Sequence, residues 1–524
     1  MNPASPQTQR LDRLLAGDAA ALLRGGKKGL EKESLRVNDR GCIAATPHPA
    51  ALGAALTHPH ITTDYSEALI ELVTPPCAEV RDTLAFLSDI HSFVYQHIGD
   101  EMLWATSMPC VLEDEKRIPI AWFGNSNVGM MKHVYRRGLG WRYGRTMQTI
   151  AGVHFNYSFP EALWPVLQEQ AKDSRPLRGF VDQAYFDMLR NFQRVGWLVP
   201  YLFGASPAVC KSFLHDRTLG FREFDAHTWY EPYATSLRMS DIGYQNKHQS
   251  HIGISYNSLD DYVATLSRAI STPEPEYAAI GVQVDGEYRQ LNANILQIEN
   301  EFYTYIRPKQ PINQGERAAL ALRKRGVMYA EVRALDVNPY DPVGADAPAL
   351  RFIEALLIWC LLTDSPRISP EEQQAINHNQ MQSARHGRDP ALTLQRQGRP
   401  VLLRTWAREI VAELDGICGV LDGSDRDKPY GAALGAQREA LIDPERLPSA
   451  RVLADMRARG ESFLQFAARL SQTHRDAFRR RALAPSTQRR FARLAQESLE
   501  KQRQLEASDS LAFGDYLQQY FAQS

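Results

Sequence analysis

The 524-residue chain lacks the signatures of several common chemistries. It has no G-x-x-x-x-G-K-[ST] phosphate loop, no H-E-x-x-H zinc helix, no G-x-S-x-G nucleophile elbow and no G-x-G-x-x-G turn after a strand. A bound nucleotide must therefore be held by other means. Cysteine is scarce: Cys42, Cys77, Cys110, Cys210, Cys360 and Cys418 lie far apart without a C-x-x-C pair. That spacing disfavours a zinc site or a thioredoxin-like redox centre and leaves mostly reduced, structural thiols as the expectation. Neither sign of charge dominates, with 60 Lys and Arg against 61 Asp and Glu, so no global attraction to nucleic acid or anionic lipid exists. Long apolar runs are missing too. The richest, residues 350–362, carries Arg351 and Glu354 and falls short of the roughly 20 residues that span a bilayer, so it reads as a buried helix and no membrane partner is expected. The first residues lack the basic start and apolar stretch of a secretory signal, and a cytoplasmic location is expected.

What remains is a chain with 44% apolar and 23% charged residues, the balance of an ordinary folded protein able to bury a large core. Apolar residues at three- and four-residue steps, as in Leu84, Leu87, Ile90 and Val94 or Leu350, Ile353, Leu357 and Leu361, predict scaffold helices. Five segments behave differently: residues 30–37, 67–74, 153–159, 295–306 and 330–337 alternate with a period of two and collect acidic or polar side chains on one face. Strands and helices are interspersed without regular βαβ spacing, which points to an α+β fold around a mainly antiparallel sheet. Residues 1–365 hold these segments and form the expected catalytic region. Residues 366–524 read as a mainly helical region packed on it, with a loop expected at 422–435, where turn formers concentrate.

The chemistry lies in the carboxylates. As a strand, Glu31-Lys32-Glu33 puts two carboxylates on one face about 7 Å apart. Like charges that close need a positive partner, and hard divalent cations with oxygen ligands supply one; a solvated surface strand is the alternative. Glu71 is flanked by aliphatic residues and needs a partner if buried. Glu331 and Arg333 share a face, where the planar guanidinium matches phosphate oxygens; a structural ion pair is the alternative. In 295–306 and the adjoining Arg307, the residues Gln297, Glu299, Glu301, Tyr303, Tyr305 and Arg307 would line a cleft, and in 153–159 His154, Asn156 and Ser158 separate from an aromatic core face. The pattern suits Mg²⁺ or Mn²⁺ bridging phosphates and a reacting carboxylate.

These segments resemble the proteobacterial type of glutamate-cysteine ligase. The likeness is carried by Gly29-Leu30-Glu31-Lys32-Glu33-Ser34-Leu35-Arg36-Val37, Ile61-Thr62-Thr63-Asp64-Tyr65-Ser66-Glu67-Ala68-Leu69, Met147-Gln148-Thr149-Ile150-Ala151-Gly152-Val153-His154, Tyr233-Ala234-Thr235-Ser236-Leu237-Arg238, Leu296-Gln297-Ile298-Glu299-Asn300-Glu301 and Glu331-Val332-Arg333. The resemblance implies a glutamine synthetase-like fold, a curved antiparallel sheet forming a funnel surrounded by helices. It implies ligation of the γ-carboxyl of L-glutamate to the amine of L-cysteine through γ-glutamyl phosphate, with ATP as co-substrate, as the first step of glutathione synthesis. A related glutamate ligase taking another amine is the alternative. By the same resemblance Glu31, Glu33, Glu71 and Glu331 hold Mg²⁺ and Arg333 faces the reacting groups. Tyr65, Tyr135, Gln148, Arg238, Tyr244 and Tyr303 form the cysteine pocket, Arg136, His154 and Asn156 border the site, and the enzyme is a monomer. Tyr65 stands where other members have Phe, which adds a hydroxyl to that pocket.

Overall fold

In the computed structural model, residue 14 and residues 19–112, 114–214, 220–243 and 253–523 are described. Seven strands make the central sheet: β1 (Lys27–Val37), β2 (Ile61–Thr63), β3 (Leu69–Val73), β4 (Met102–Leu103), β5 (Val153–Ser158), β6 (Ile306–Lys309) and β7 (Tyr329–Leu335). Their order is β6-β7-β5-β1-β3-β2, with β4 paired to the end of β1, and every pairing is antiparallel. The α+β expectation, and four of the five alternating segments as strands, hold.

Strand β1 explains how the sheet is built. Its odd-numbered residues, Glu31 and Glu33 among them, face the front, while Lys28, Lys32 and Arg36 alternate onto the back and are almost fully buried. Each buried cation is met from behind. Lys28 Nζ lies 2.8 Å from Glu354 Oε1 on helix α4 (Ala347–Leu362), and Tyr430 Oη donates to Glu354 Oε2 at 2.7 Å. Lys32 Nζ donates to Ser34 Oγ and approaches His91 Nε2 at 3.2 Å, on α1 (Val80–Tyr95). Arg36 Nη1 donates to Glu101 Oε2 at 2.7 Å. Two further helices matter for the site: α2 (Asn127–Tyr143), which roofs the front face, and α3 (Leu177–Val195), which packs against α4 and β6. The main apolar core runs from Leu14 on the N-terminal side to Tyr520 near the C-terminus, and a small second cluster joins Ala55, Ala121 and Phe123.

The Lys28–Glu354 pair gives a stability prediction. Burial raises the Glu354 carboxyl, and the Lys28 charge opposes that rise. Glu354→Ala should cost about 3–5 kcal/mol, because it strands a buried ammonium. Urea unfolding followed by circular dichroism reads this; a loss under about 1 kcal/mol, the range of exposed pairs, would show that the pair is not the lock between β1 and α4.

Two expectations fail. Residues 295–306 are not a strand: Glu299–Glu301 form a 3-10 turn, and extended structure begins only at Ile306. The cause is side-chain capture of the backbone, since Glu301 Oε2 accepts from Gln297 N at 2.7 Å while Arg142 and Tyr143 donate to its Oε1. Gln297, Glu299, Glu301 and Tyr305 therefore do not share a cleft face with Tyr303. The expected loop at 422–435 is mostly helix, α5 (Pro429–Ile442). Asp422 caps it from outside, accepting from Tyr430 N at 2.7 Å and Gly431 N at 2.9 Å, and Pro429 sits where a missing N–H costs nothing. The expectation of mostly reduced thiols holds for Cys42, Cys77, Cys360 and Cys418, which are free, while Cys110 and Cys210 form a disulfide across 100 residues. Their meeting depends on tertiary structure alone, as Leu112 N donates to Ser212 Oγ beside them at 3.3 Å.

Candidate active site

Antiparallel register turns scattered acids into one row. Glu33 pairs across with Glu71, Glu31 with His154, and Glu331 with Asn156 on one side and Arg307 on the other. All front side chains at these positions except Asn156 line a cavity of about 410 Å³ between the sheet and α2. Within it Glu31, His154 and Glu331 offer ligand atoms that lie within 4.8 Å of one another. Nδ1 of His154 is 3.2 Å from Glu31 Oε2 and 3.6 Å from Glu331 Oε1, and its Nε2 is 3.8 Å from Glu33 Oε1. Asn156 Nδ2 donates to Glu31 Oε1 at 2.8 Å, which orients that carboxylate from the side.

Charge is divided unevenly over the row. Burial works against ionising Glu331, yet Lys309, Arg333, His154 and Arg307 hold it well below the usual carboxylate range. The closest cations are Arg333 Nη1 at 3.1 Å and Lys309 Nζ at 3.6 Å from Glu331 Oε1. Glu31 is also held low: burial and Glu331 push it up, but the His154 hydrogen bond and the Lys309 charge prevail. The other two carboxyls go the opposite way. Burial and Asp64 raise Glu33 to about 8, against the pull of Arg238 and Arg333, and burial with Glu31, Asp64 and Glu33 raises Glu71 well above its ordinary value. His154 is pushed down by burial and by Arg333, so it stands neutral and able to ligate. An added cation is what this arrangement is short of. Glu331 Oε2 is buried without a hydrogen-bond partner among the described residues, and the donors are oxygen-rich with one imidazole, a set that suits Mg²⁺ or Mn²⁺.

Helix α2 gives the cavity its length. Val128, Met131, Lys132, Tyr135, Arg136 and Leu139 lie on its cavity face at helical spacing, and the span from Val128 to Leu139 is roughly 16 Å. At the Leu139 end sit Tyr65, Tyr135, Gln148 and Tyr303, with Tyr303 Oη donating to Gln148 Oε1 at 3.5 Å. Tyr65 Oη and Gln148 Nε2 are buried without partners among the described residues, as expected of atoms reserved for a small polar ligand. Arg136 lies midway, its Nε donating to the carbonyl of Asp64 and its guanidinium over the Phe123 ring.

Arg238 stands behind this row rather than in the cavity wall. Its Nη2 donates to the Arg333 carbonyl at 2.9 Å and its Nη1 is 3.8 Å from Asp336 Oδ1. It fits there because position 152 is glycine: a Cβ would collide with the guanidinium, while Gly152 N donates to Glu33 Oε2 at 2.7 Å. Tyr244 lies outside the described residues. His154, expected at the border, is in the middle of the carboxylates. Sequence reading missed Asp64, Lys132, Lys309, Tyr516 and Tyr520, all of which line the cavity. Of these only Lys309 carried a signal, since it continues the alternation through Arg307.

The sequence model of the glutamate-cysteine ligase family matches residues 11–383. The glutamate-cysteine ligase of Alcanivorax borkumensis is 48% identical over 98% of this chain and 99% of its own length, and that of Azotobacter vinelandii is 48% identical over 97% of each. A crystal structure of the Francisella tularensis glutamate-cysteine ligase in complex with AMP superposes with a TM-score of 0.90 at 35% identity, covering 95% of this chain and 97% of that one. The fold alone is shared with the bifunctional glutathione synthetase of Pasteurella multocida, at a TM-score of 0.74 and 24% identity, over 93% of this chain and 58% of that one. The chain that carries this candidate site thus belongs to the glutamate-cysteine ligase family.

Proposed function

We propose that the protein joins the γ-carboxyl of L-glutamate to the amine of L-cysteine at the expense of ATP, with Glu31, Glu33, Glu71, Glu331 and His154 holding divalent cations, Mg²⁺ in the first place. The observation that carries this reading is the buried row of acids closed at one end by Arg333 and Lys309. When bound, the cations supply charge neutralisation for the triphosphate and the reacting carboxylate.

The chain's own residues do the rest. Arg333 and Lys309 face the phosphoryl group as the glutamate γ-carboxylate oxygen attacks Pγ and the bond to ADP breaks, neutralising charge as it develops. The product, γ-glutamyl phosphate, is prone to hydrolysis, and the roof of α2 keeps bulk water from it. Tyr65 Oη and Gln148 Nε2 orient the cysteine so that its neutral amine attacks the acyl carbon and phosphate leaves. No covalent bond to the protein is needed.

Pure protein incubated with glutamate, cysteine, ATP and Mg²⁺ should yield γ-glutamylcysteine by mass spectrometry, and omission of any one component should abolish it. Stripping divalent ions with EDTA should stop the reaction and excess Mg²⁺ restore it. ADP release without the dipeptide would retain the phosphoryl-transfer site but reject cysteine as acceptor.

The proposal extends to a cytoplasmic monomer. Its co-substrate ATP is made in the cytoplasm. No helix among the described residues is long and apolar enough to cross a membrane. Light scattering of the purified protein reads the oligomeric state.

A further inference from the structure

Strand β7 carries a fault beside its reactive side chains. Val332 lies opposite Phe155 and Leu335 opposite Val153, so three steps along β7 match two along β5, and a β-bulge falls at Arg333–Ala334, against His154. A bulge takes backbone groups out of the regular ladder, and buried ones must be met by other means. Arg333 N donates to the Tyr305 carbonyl at 2.8 Å. The Arg333 carbonyl accepts from Arg238 Nη2 at 2.9 Å. The residue that faces the reacting groups is thus held in the sheet by an arginine from a turn far away in sequence, Leu237–Met239.

That turn is fixed in its own right by Asp336, which comes just after the bulge, is 3% exposed and is not among the residues that line the catalytic cavity. Asp336 Oδ1 accepts from Ser236 Oγ at 2.7 Å, and its Oδ2 accepts from Ala205 N at 2.9 Å. Ser236 is also the N-cap of the turn, its Oγ accepting from Met239 N at 3.3 Å. Arg238 Nη1 lies 3.8 Å from Asp336 Oδ1, and the Arg238 charge is the first to oppose the rise that burial imposes on the Asp336 carboxyl. Past Asp336, Val337 N donates to Ser107 Oγ at 2.8 Å and anchors the chain where it leaves the strand. The carboxylate therefore grips the turn, and the guanidinium on that turn grips the bulge.

We propose that Asp336 is a positioning residue: through Ser236 and Arg238 it fixes the bulge that aims Arg333 at the phosphoryl group. The assignment rests on Arg333 acting in ligation as proposed above. An ion pair that served only to stabilise the fold would have no reason to end on one particular carbonyl of β7, yet the carbonyl that Arg238 bonds is that of Arg333 itself. Gly152 packs on the same guanidinium with no room for a Cβ, and its N–H holds Glu33 Oε2 at 2.7 Å. The aim of Arg333 and the seat of Glu33 thereby share one support, which Asp336 neutralises from outside the cavity.

Steady-state kinetics of full-length Asp336→Asn, alone and combined with Arg333→Ala, test this. The amide keeps the shape of the side chain and removes its charge. Asp336→Asn should lower kcat about 10- to 100-fold, the penalty of a misplaced catalytic group, and leave KM for ATP and glutamate within about twofold. On the Arg333→Ala background it should cost less than about threefold more, because no guanidinium is left to aim. Far-UV circular dichroism checks the fold, and should Asp336→Asn not fold, Ser236→Ala carries the same double-mutant cycle with a smaller loss. An equal loss with and without the Arg333 side chain, a rise confined to KM for cysteine, or a kcat near that of the parent would each overturn the assignment. If the parent makes no dipeptide, hydrogen exchange decides. Faster exchange of the amides of residues 329–337 in Asp336→Asn would keep Asp336 as the support of the bulge while the ligase reading falls, and unchanged exchange would reject the support as well.

Discussion

Glu331→Gln is expected to lower γ-glutamylcysteine formation by about a thousandfold, the ~4 kcal/mol that a metal-assisted charge stabilisation supplies, while far-UV circular dichroism stays that of the parent. The reasoning is local. Glu331 is 1% exposed and is the acid on which Lys309, Arg333 and His154 converge, and its Oε2 is the atom without a partner among the described residues. The amide keeps the size and can still accept from Arg333, so β7 stays in register. It removes the negative charge, leaving Lys309, Arg333 and Arg307 facing one another with less to bind a divalent ion. Glu31→Gln should behave likewise, because Glu31 is the other acid of the group held low. Full activity in either variant would remove that side chain from the metal set.

The same residues show what sequence can and cannot disclose. The period of two in Glu31–Glu33, around Glu71 and through Glu331–Arg333 is a backbone property, legible because next-but-one residues share a face, even though the back face of β1 carries Lys28, Lys32 and Arg36. Which acid meets which was not. Glu33 opposite Glu71 and Glu31 opposite His154 follow from pairings between segments roughly 40 and 120 residues apart, whose register is set in three dimensions. Segment 295–306 misled because alternation there is accidental: Glu301 spends its carboxylate on Gln297 N, Arg142 and Tyr143 rather than on a cleft. Tyr516 and Tyr520 were invisible for a different reason. Two aromatics one turn apart on an amphipathic helix have the pattern of core packing, and only the hydrogen bonds from Asn127 Nδ2 to the Leu511 carbonyl and from Gln523 Nε2 to the Gly315 carbonyl turn them toward the cavity.

Arg333 should be the most sensitive cation. Its side chain is 21% exposed, unlike the 1% of its partner Glu331, and it lines the cavity with its Nη1 held 3.1 Å from the carboxylate. Burial opposes its charge, but Glu331, Glu33 and Glu31 hold it firmly protonated. Arg333→Ala should therefore cost about 10²–10³-fold in kcat, the range for losing a donor aimed at developing charge, with a smaller change in KM for ATP. Arg333→Lys tests whether charge or shape matters. A lysine keeps the charge but cannot bond Glu331 and a phosphoryl oxygen through one planar fork, so it should recover little of the loss. The Arg238 contact survives both substitutions, because Arg238 donates to the backbone carbonyl of residue 333 and not to its side chain. Steady-state kinetics on the two variants separate the cases. A kcat near that of the parent in Arg333→Lys would make charge alone sufficient, and a kcat near the parent in Arg333→Ala would pass the role to Lys309, 3.6 Å from the same carboxylate oxygen.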